Sequence, residues 1–256
     1  MPGPASALLD TTGQLLGGLM APFTGALSAL RQSRMFHPRG VVCAARVVAE
    51  PARPQLTSVA EALAGVALVR WSSALWKSGE WTDVLGCALR FTSPPLTIEP
   101  KPGDQDLLLA TIQRPWTMPL SPFTTRTHDF LANVYFGVSP FEVAGLGRVE
   151  WRVAPLAPSP AGSDRRERIG LAALSRARLS LELAPYMGPW RRPDPARFER
   201  VAAIELTGEL ALDQEALRFD PFRSGRGLEP VGFVHGLRRA TYLASQRGRP
   251  DSARAE

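Results

Sequence analysis

Short apolar runs separated by turn residues dominate the middle of the chain. Gly40–Glu50 (GVVCAARVVAE), Gly65–Ser72 (GVALVRWS) and Val84–Thr92 (VLGCALRFT) are rich in Val, Leu and Ala. Asp106–Ile112, Arg148–Ala154, Arg178–Leu183 and Val201–Leu210 continue the series. Several alternate with period 2, as in Val149-Glu150-Trp151-Arg152-Val153 and Arg178-Leu179-Ser180-Leu181-Glu182-Leu183, which is the pattern of a half-buried strand. Seven or eight such strands in one domain predict a closed barrel, because closure removes the exposed edges. The expected fold class is therefore α+β: a closed antiparallel β-barrel of about eight strands with peripheral helices.

Pro-rich stretches at Ser93–Gly103, Pro155–Ser163 and Pro185–Pro195 read as loops. Helices are predicted at Thr127–Phe136 and Gly232–Arg249. The expected organisation is a helical segment at 1–33 packed on the core, a barrel domain at 34–249 and a frayed tail at 250–256.

Composition narrows the function classes. The chain has 256 residues and 24 prolines against 22 glycines, which suits one loop-rich domain better than a helical bundle. The net charge of +6 raises the question of anionic partners. The arginines are dispersed, however, and alternate with acids in Asp164-Arg165-Arg166-Glu167-Arg168, which reads as a solvated loop. No stretch interleaves aromatic and basic residues as single-strand binders do, so nucleic acid is not an expected partner. Cys43 and Cys87 lie in apolar runs without a second ligand at metal spacing, which suits a reducing compartment. Thr11–Leu30 is uncharged, but Pro22 and four glycines interrupt it. It falls short of a membrane span and lacks a basic leader, so the cytoplasm is expected; a membrane-surface contact is compatible with the segment but not favoured.

Candidate chemistry sits in three places. Arg238 and Tyr242 stand four residues apart in a segment of helical pattern, where side chains meet. An adjacent guanidinium favours the phenolate form of a tyrosine. Arg34-Met35-Phe36-His37-Pro38-Arg39-Gly40 runs into the first strand, and a histidine there could act as general acid–base near neutral pH. Arg70 and Ser72 lie on one face of the second strand, and a buried arginine needs an anionic partner.

Together these segments resemble the catalase superfamily. Arg34, His37, Arg39 and Gly40 match its Arg-x-x-His-x-Lys/Arg-Gly pattern, and Val69-Arg70-Trp71-Ser72 resembles its Val-Arg-Phe-Ser strand. Asp83, Gly86, Ala88 and Phe91 match Asp-x-x-Gly-x-Ala-x-x-Phe. Gly227-Leu228-Glu229-Pro230 resembles Gly-Ile-Glu-Pro and precedes the Arg-x-x-x-Tyr pair. The resemblance covers residues 31–249, in the order the family has them.

The resemblance implies a haem-dependent oxidoreductase acting on peroxides. Haem b would take Tyr242 as its axial iron ligand, with Arg238 keeping the phenol ionised. His37 would move a proton between the peroxide oxygens, and Ser72 would hydrogen-bond that histidine. Arg34, Arg70 and Arg249 would pair with the propionates.

The chain departs from the family where an asparagine is expected, because Asp106-Leu107-Leu108-Leu109-Ala110-Thr111 offers only Ala110 or Thr111 there. Loss of one preorganised donor typically costs roughly 2.7–4 kcal/mol of transition-state stabilisation. A peroxidase-like reaction on hydrogen peroxide or an organic hydroperoxide is thus expected over efficient disproportionation, with Thr111 supplying a hydroxyl. The alternatives are allene-oxide-synthase-like conversion of fatty-acid hydroperoxides and a non-catalytic barrel that binds haem or lipid. A homo-oligomer is compatible with the sequence.

Overall fold

The computed structural model describes residues 40–74, 82–113, 120–137, 139–188, 191, 194–212 and 217–231. A compact unit spans Arg39–Pro230. Its strands are β1 (Gly40–Ala49), β2 (Gly65–Ser73), β3 (Leu85–Thr92), β4 (Gln105–Ala110), β5 (Tyr135–Gly137), β6 (Phe141–Val143), β7 (Gly147–Pro155), β8 (Arg178–Pro185), β9 (Glu199–Glu209) and β10 (Leu228–Pro230). All seven apolar runs identified in the sequence form strands.

The first five strands pair with their sequence neighbours in antiparallel register. β5 and β6 share one edge of β7, whose other edge takes β8; β9 then joins β8 to β1. The circuit is a closed antiparallel barrel of eight staves, with β10 added on β6. Register breaks at Ala44/Ala45 and Leu181/Glu182 bend the strands flanking β9.

Alternation decides which side chains fill the barrel. Val41, Cys43, Ala45 and Val47 of β1, and Ala67, Val69 and Trp71 of β2, belong to the main core. Trp151, Phe91, Leu89 and Leu107 join them, each fully buried. An eight-stranded barrel is just wide enough for its own side chains, and these large residues make the interior a packed core. Any ligand site must therefore be sought on the outside.

Two helices flank the barrel. α1 (Thr57–Leu63) buries Val59, Ala60 and Leu63, and Gly65 follows at φ 126°, a conformation that favours glycine. α2 (Arg165–Leu174) buries Ile169, Ala172 and Ala173 and packs on β9. Asp164 caps it, its Oδ1 accepting the N–H groups of Arg166 and Glu167 at 2.8 Å each. The Asp164–Arg168 charge run is thus a helix start rather than the loop expected from its composition. The helix expected at Thr127–Phe136 is also replaced, by a 3-10 turn at Phe130–Ala132 and strand β5. Asp129 caps that turn through Leu131 N–H, and the β-branched and aromatic run Val134-Tyr135-Phe136 then extends into the sheet.

The expected helix at Gly232–Arg249, the segment 1–33 and the tail 250–256 lie outside the described residues. No described helix is long and apolar enough to cross a membrane.

Candidate site on the outer face of the first four strands

Side chains that alternate with the core residues of β1–β4 point outward. Cross-strand register aligns them in rows: Gly40 pairs with Ser72, Ser72 with Gly86, Gly86 with Ala110 and Ala110 with Phe136. The next row is Val42, Arg70, Ala88 and Leu108. The first row presents almost no side-chain bulk before it reaches Phe136. Such a floor suits a flat ligand, and the adjoining row adds one buried cation, Arg70. Glycine at position 40 is required by close approach. A Cβ there would stand 2.3 Å from the carbonyl oxygen of Trp71 and 3.0 Å from Cζ of Arg70. The glycine therefore lets the Arg70 side chain lie along the floor.

The third row carries a buried ionic clamp. Arg90 of β3 and Asp106 of β4 face each other in register, and neither side chain is exposed. Nε of Arg90 donates to Oδ1 of Asp106 at 2.9 Å, and one Nη to Oδ2 at 3.3 Å. The guanidinium also donates to the carbonyls of Ile98, at 2.8 Å, and Arg218, and lies 4.9 Å from the centroid of the Phe219 ring. Asp106 accepts the Asp220 N–H at 2.7 Å and pairs with Arg223. Burial raises the Asp106 carboxyl pKa, while the hydrogen bonds and charges of Arg90, then Arg223, draw it back. The clamp holds the segment 217–224 against the barrel, where Leu217 and Phe219 pack on Val42 and Leu68. Gly225 extends the attachment, since a Cβ there would meet the Asp104 carbonyl at 2.4 Å. Beyond it, the Gly227–Pro230 motif runs into β10, paired with β6. Sequence reasoning missed this clamp; its signal was one charged residue inside each of two otherwise apolar strands.

A pocket of about 390 Å³ opens beside the end of the first row. Thr111, Gln113, Thr124, Arg126, Ala132, Asn133, Val134 and Phe136 line it. Asn133 is structural: its amide donates to the carbonyls of Arg126 and Asp129, at 2.9 and 2.6 Å, and accepts from Arg126 N–H at 2.9 Å. This pocket was not read from the sequence, because Ala132, Asn133, Val134 and Phe136, half of its described lining, come from a stretch read as helix.

Ser72 and Arg70 lie two residues apart on β2, and both are buried. The structure separates Ala110 from Thr111. Ala110 lies in the row with Ser72, whereas Thr111 lies beyond β4 and lines the pocket. The Thr111 hydroxyl accepts the Leu85 N–H at 3.1 Å and meets the Thr125 hydroxyl at 2.8 Å. Arg34, His37, Arg238, Tyr242 and Arg249 lie outside the described residues. Cys43 and Cys87 are free thiols in the barrel core. Among the described residues no group of three or more His, Cys, Asp or Glu could hold a metal ion.

No protein-family model matches the chain, and no curated protein matches it. Among solved structures the fold is similar to that of a fungal catalase, with a TM-score of 0.61 at 11% sequence identity. The match covers 84% of this chain and 59% of the fungal catalase. The chain thus folds as a catalase-like β-barrel and spans 59% of the length of this fungal catalase.

Proposed function

We propose that this chain is a haem-dependent enzyme that consumes peroxides, closer to a peroxidase than to an efficient catalase. The observation that carries the reading is the outer row Gly40–Ser72–Gly86–Ala110, flat and small, with Arg70 beside it on a catalase-like barrel. The described residues fit a planar, anionic group on this face: the Cβ-free position 40 keeps the floor open, and Arg70 supplies positive charge.

Bound haem would supply the electrons that reduce the O–O bond of a peroxide, to be replaced by a reducing co-substrate. The chain's own residues have distinct tasks around it. Tyr242 would supply the phenolate that holds the iron, and Arg238 would keep that oxygen ionised. Arg34, Arg70 and Arg249 neutralise the propionates. His37 would move a proton from one peroxide oxygen to the other, and Ser72 would be the hydrogen-bond partner that orients its ring. Ala110 in the row offers no amide, and Thr111, whose hydroxyl accepts the Leu85 N–H, lies beyond the row. Peroxide orientation therefore rests on His37, which favours turnover of organic hydroperoxides by a reducing co-substrate.

The test is the absorption spectrum of the purified protein, reconstituted with haem where needed. A Soret band with a high-spin ferric signature is expected, and Tyr242→Phe should abolish or strongly perturb it. Absence of a Soret band after reconstitution would sink the proposal. Product analysis then discriminates reduction of a hydroperoxide to its alcohol from dehydration to an epoxide.

A further inference from the structure

The pocket beyond β4 has a polarity of its own. Arg126 and Gln113 contribute a cation and an amide, and Thr111 and Thr124 contribute hydroxyls. Ala132, Val134 and Phe136 make the apolar part of the wall. Its described lining includes one cation and no acid, and the Arg126 guanidinium has no carboxylate partner among the described residues. The helical turn Ser121–Thr124, which supplies Thr124, also carries Leu120 and Phe123, 65% and 79% exposed. Val134 is exposed at the wall itself. A polar recess with one cation and an apolar wall, next to a turn that carries two exposed apolar side chains, matches a molecule with an anionic head and an aliphatic tail.

We propose that this pocket binds an aliphatic carboxylate, its head at Arg126 and its chain along Val134 and Phe136. A guanidinium offers a carboxylate paired N–H donors. The apolar wall residues Val134 and Phe136 gain by covering an alkyl chain that water would otherwise surround. The backbone of Arg126 is held by Asn133 independently of its side chain, so the guanidinium can be removed without undoing the loop.

Phe136 belongs both to this wall and to the row containing Ala110 and Ser72. Binding at the pocket nevertheless requires no haem, so its outcome is separate from that of the Soret measurement.

The experiment is calorimetric titration of the full-length protein with sodium decanoate, methyl decanoate and sodium acetate. Decanoate should bind with a dissociation constant below about 1 mM, with the ester and acetate at least tenfold weaker. Arg126→Gln should weaken decanoate at least tenfold, and Val134→Asp, which sets a like charge on the wall, should do the same. Both variants alter exposed side chains, and circular dichroism checks that they remain folded. Equal binding of the ester would overturn the role of the charge, and equal binding of acetate the role of the tail. No binding of decanoate, or binding unchanged in Arg126→Gln, would overturn the site.

Discussion

Arg90 and Asp106 form a fully buried ion pair across β3 and β4, on the outer face of the barrel and not in its core. The pair is held from both sides, since the Asp220 N–H and Arg223 reach Asp106 while the carbonyls of Ile98 and Arg218 accept from Arg90. Removing one partner leaves a charge without compensation where water cannot reach. Asp106→Leu should therefore cost about 3–5 kcal/mol of unfolding free energy, measured by urea denaturation. The paired variant Arg90→Met/Asp106→Leu should recover part of this. It should not recover all of it, because the Asp220 N–H and the two carbonyls lose their partners as well. A single variant with unchanged midpoint would contradict the role of the clamp.

Gly40 is a second point where one atom decides the outcome. The Cβ of an alanine would sit 2.3 Å from the Trp71 carbonyl oxygen, and backbone yields less readily than a side-chain tip. Gly40→Ala should push β1 away from β2 at the end where Gly40 pairs with Ser72, costing about 1–3 kcal/mol as overpacking does. It should also displace Arg70, so that haem affinity in reconstitution falls more than the stability change alone explains. Unaltered stability together with unaltered affinity would show that the floor tolerates a methyl group.

Much of the barrel was legible because several strands are written in period-2 runs: Val149, Trp151 and Val153 of β7 and Leu179, Leu181 and Leu183 of β8 all join the core, as alternation requires. Ser72 and Arg70 could be put on one face for the same reason. Failures occurred where local and tertiary signals compete. Thr127–Phe136 has neither clear period, and its Asn133 amide folds the backbone on itself, which no spacing rule anticipates. The charge run at Asp164–Arg168 hid a capped helix because Ile169, Ala172 and Ala173, its buried face, come only after the charges. The outer clamp was missed because Arg90 and Asp106 meet only through sheet register, 16 residues apart in sequence.

The cap on α2 makes a prediction of its own. Two backbone N–H groups hold the Asp164 carboxylate below the ordinary range, the Glu167 N–H most strongly, followed by the Arg166 N–H. A depressed folded pKa means that this stabilisation is present above the unfolded value of about 3.9 and is lost as pH falls through the lower folded value. Asp164→Ala should lower the melting temperature by about 2–4 °C at neutral pH. The difference from wild type should vanish in strong acid, where both chains lack the charged cap. A deficit that persists undiminished into strong acid would mean that the side chain acts through something other than its charge.

The two thiols define the alkaline limit. Burial, followed by the nearby Glu209 carboxylate, pushes the Cys43 thiol up to about 12, and burial alone raises Cys87 at least as strongly. Neither should react with a water-soluble disulfide reagent in the native protein, and both should react once it is unfolded. In the unfolded chain each thiol ionises near about 8.5. Above that pH the unfolded state has released protons that the folded state retains, so linkage makes stability fall as pH rises. The slope approaches about 1.4 kcal/mol per pH unit for each thiol until the folded value is reached. Cys43→Ala/Cys87→Ala removes both groups and leaves space in the core, so it should be less stable at pH 7. Its stability should nevertheless decline less steeply between pH 8.5 and pH 10. Parallel pH profiles for the two proteins would show that the thiols already ionise within the folded barrel, against the dry packing around Cys43 and Cys87.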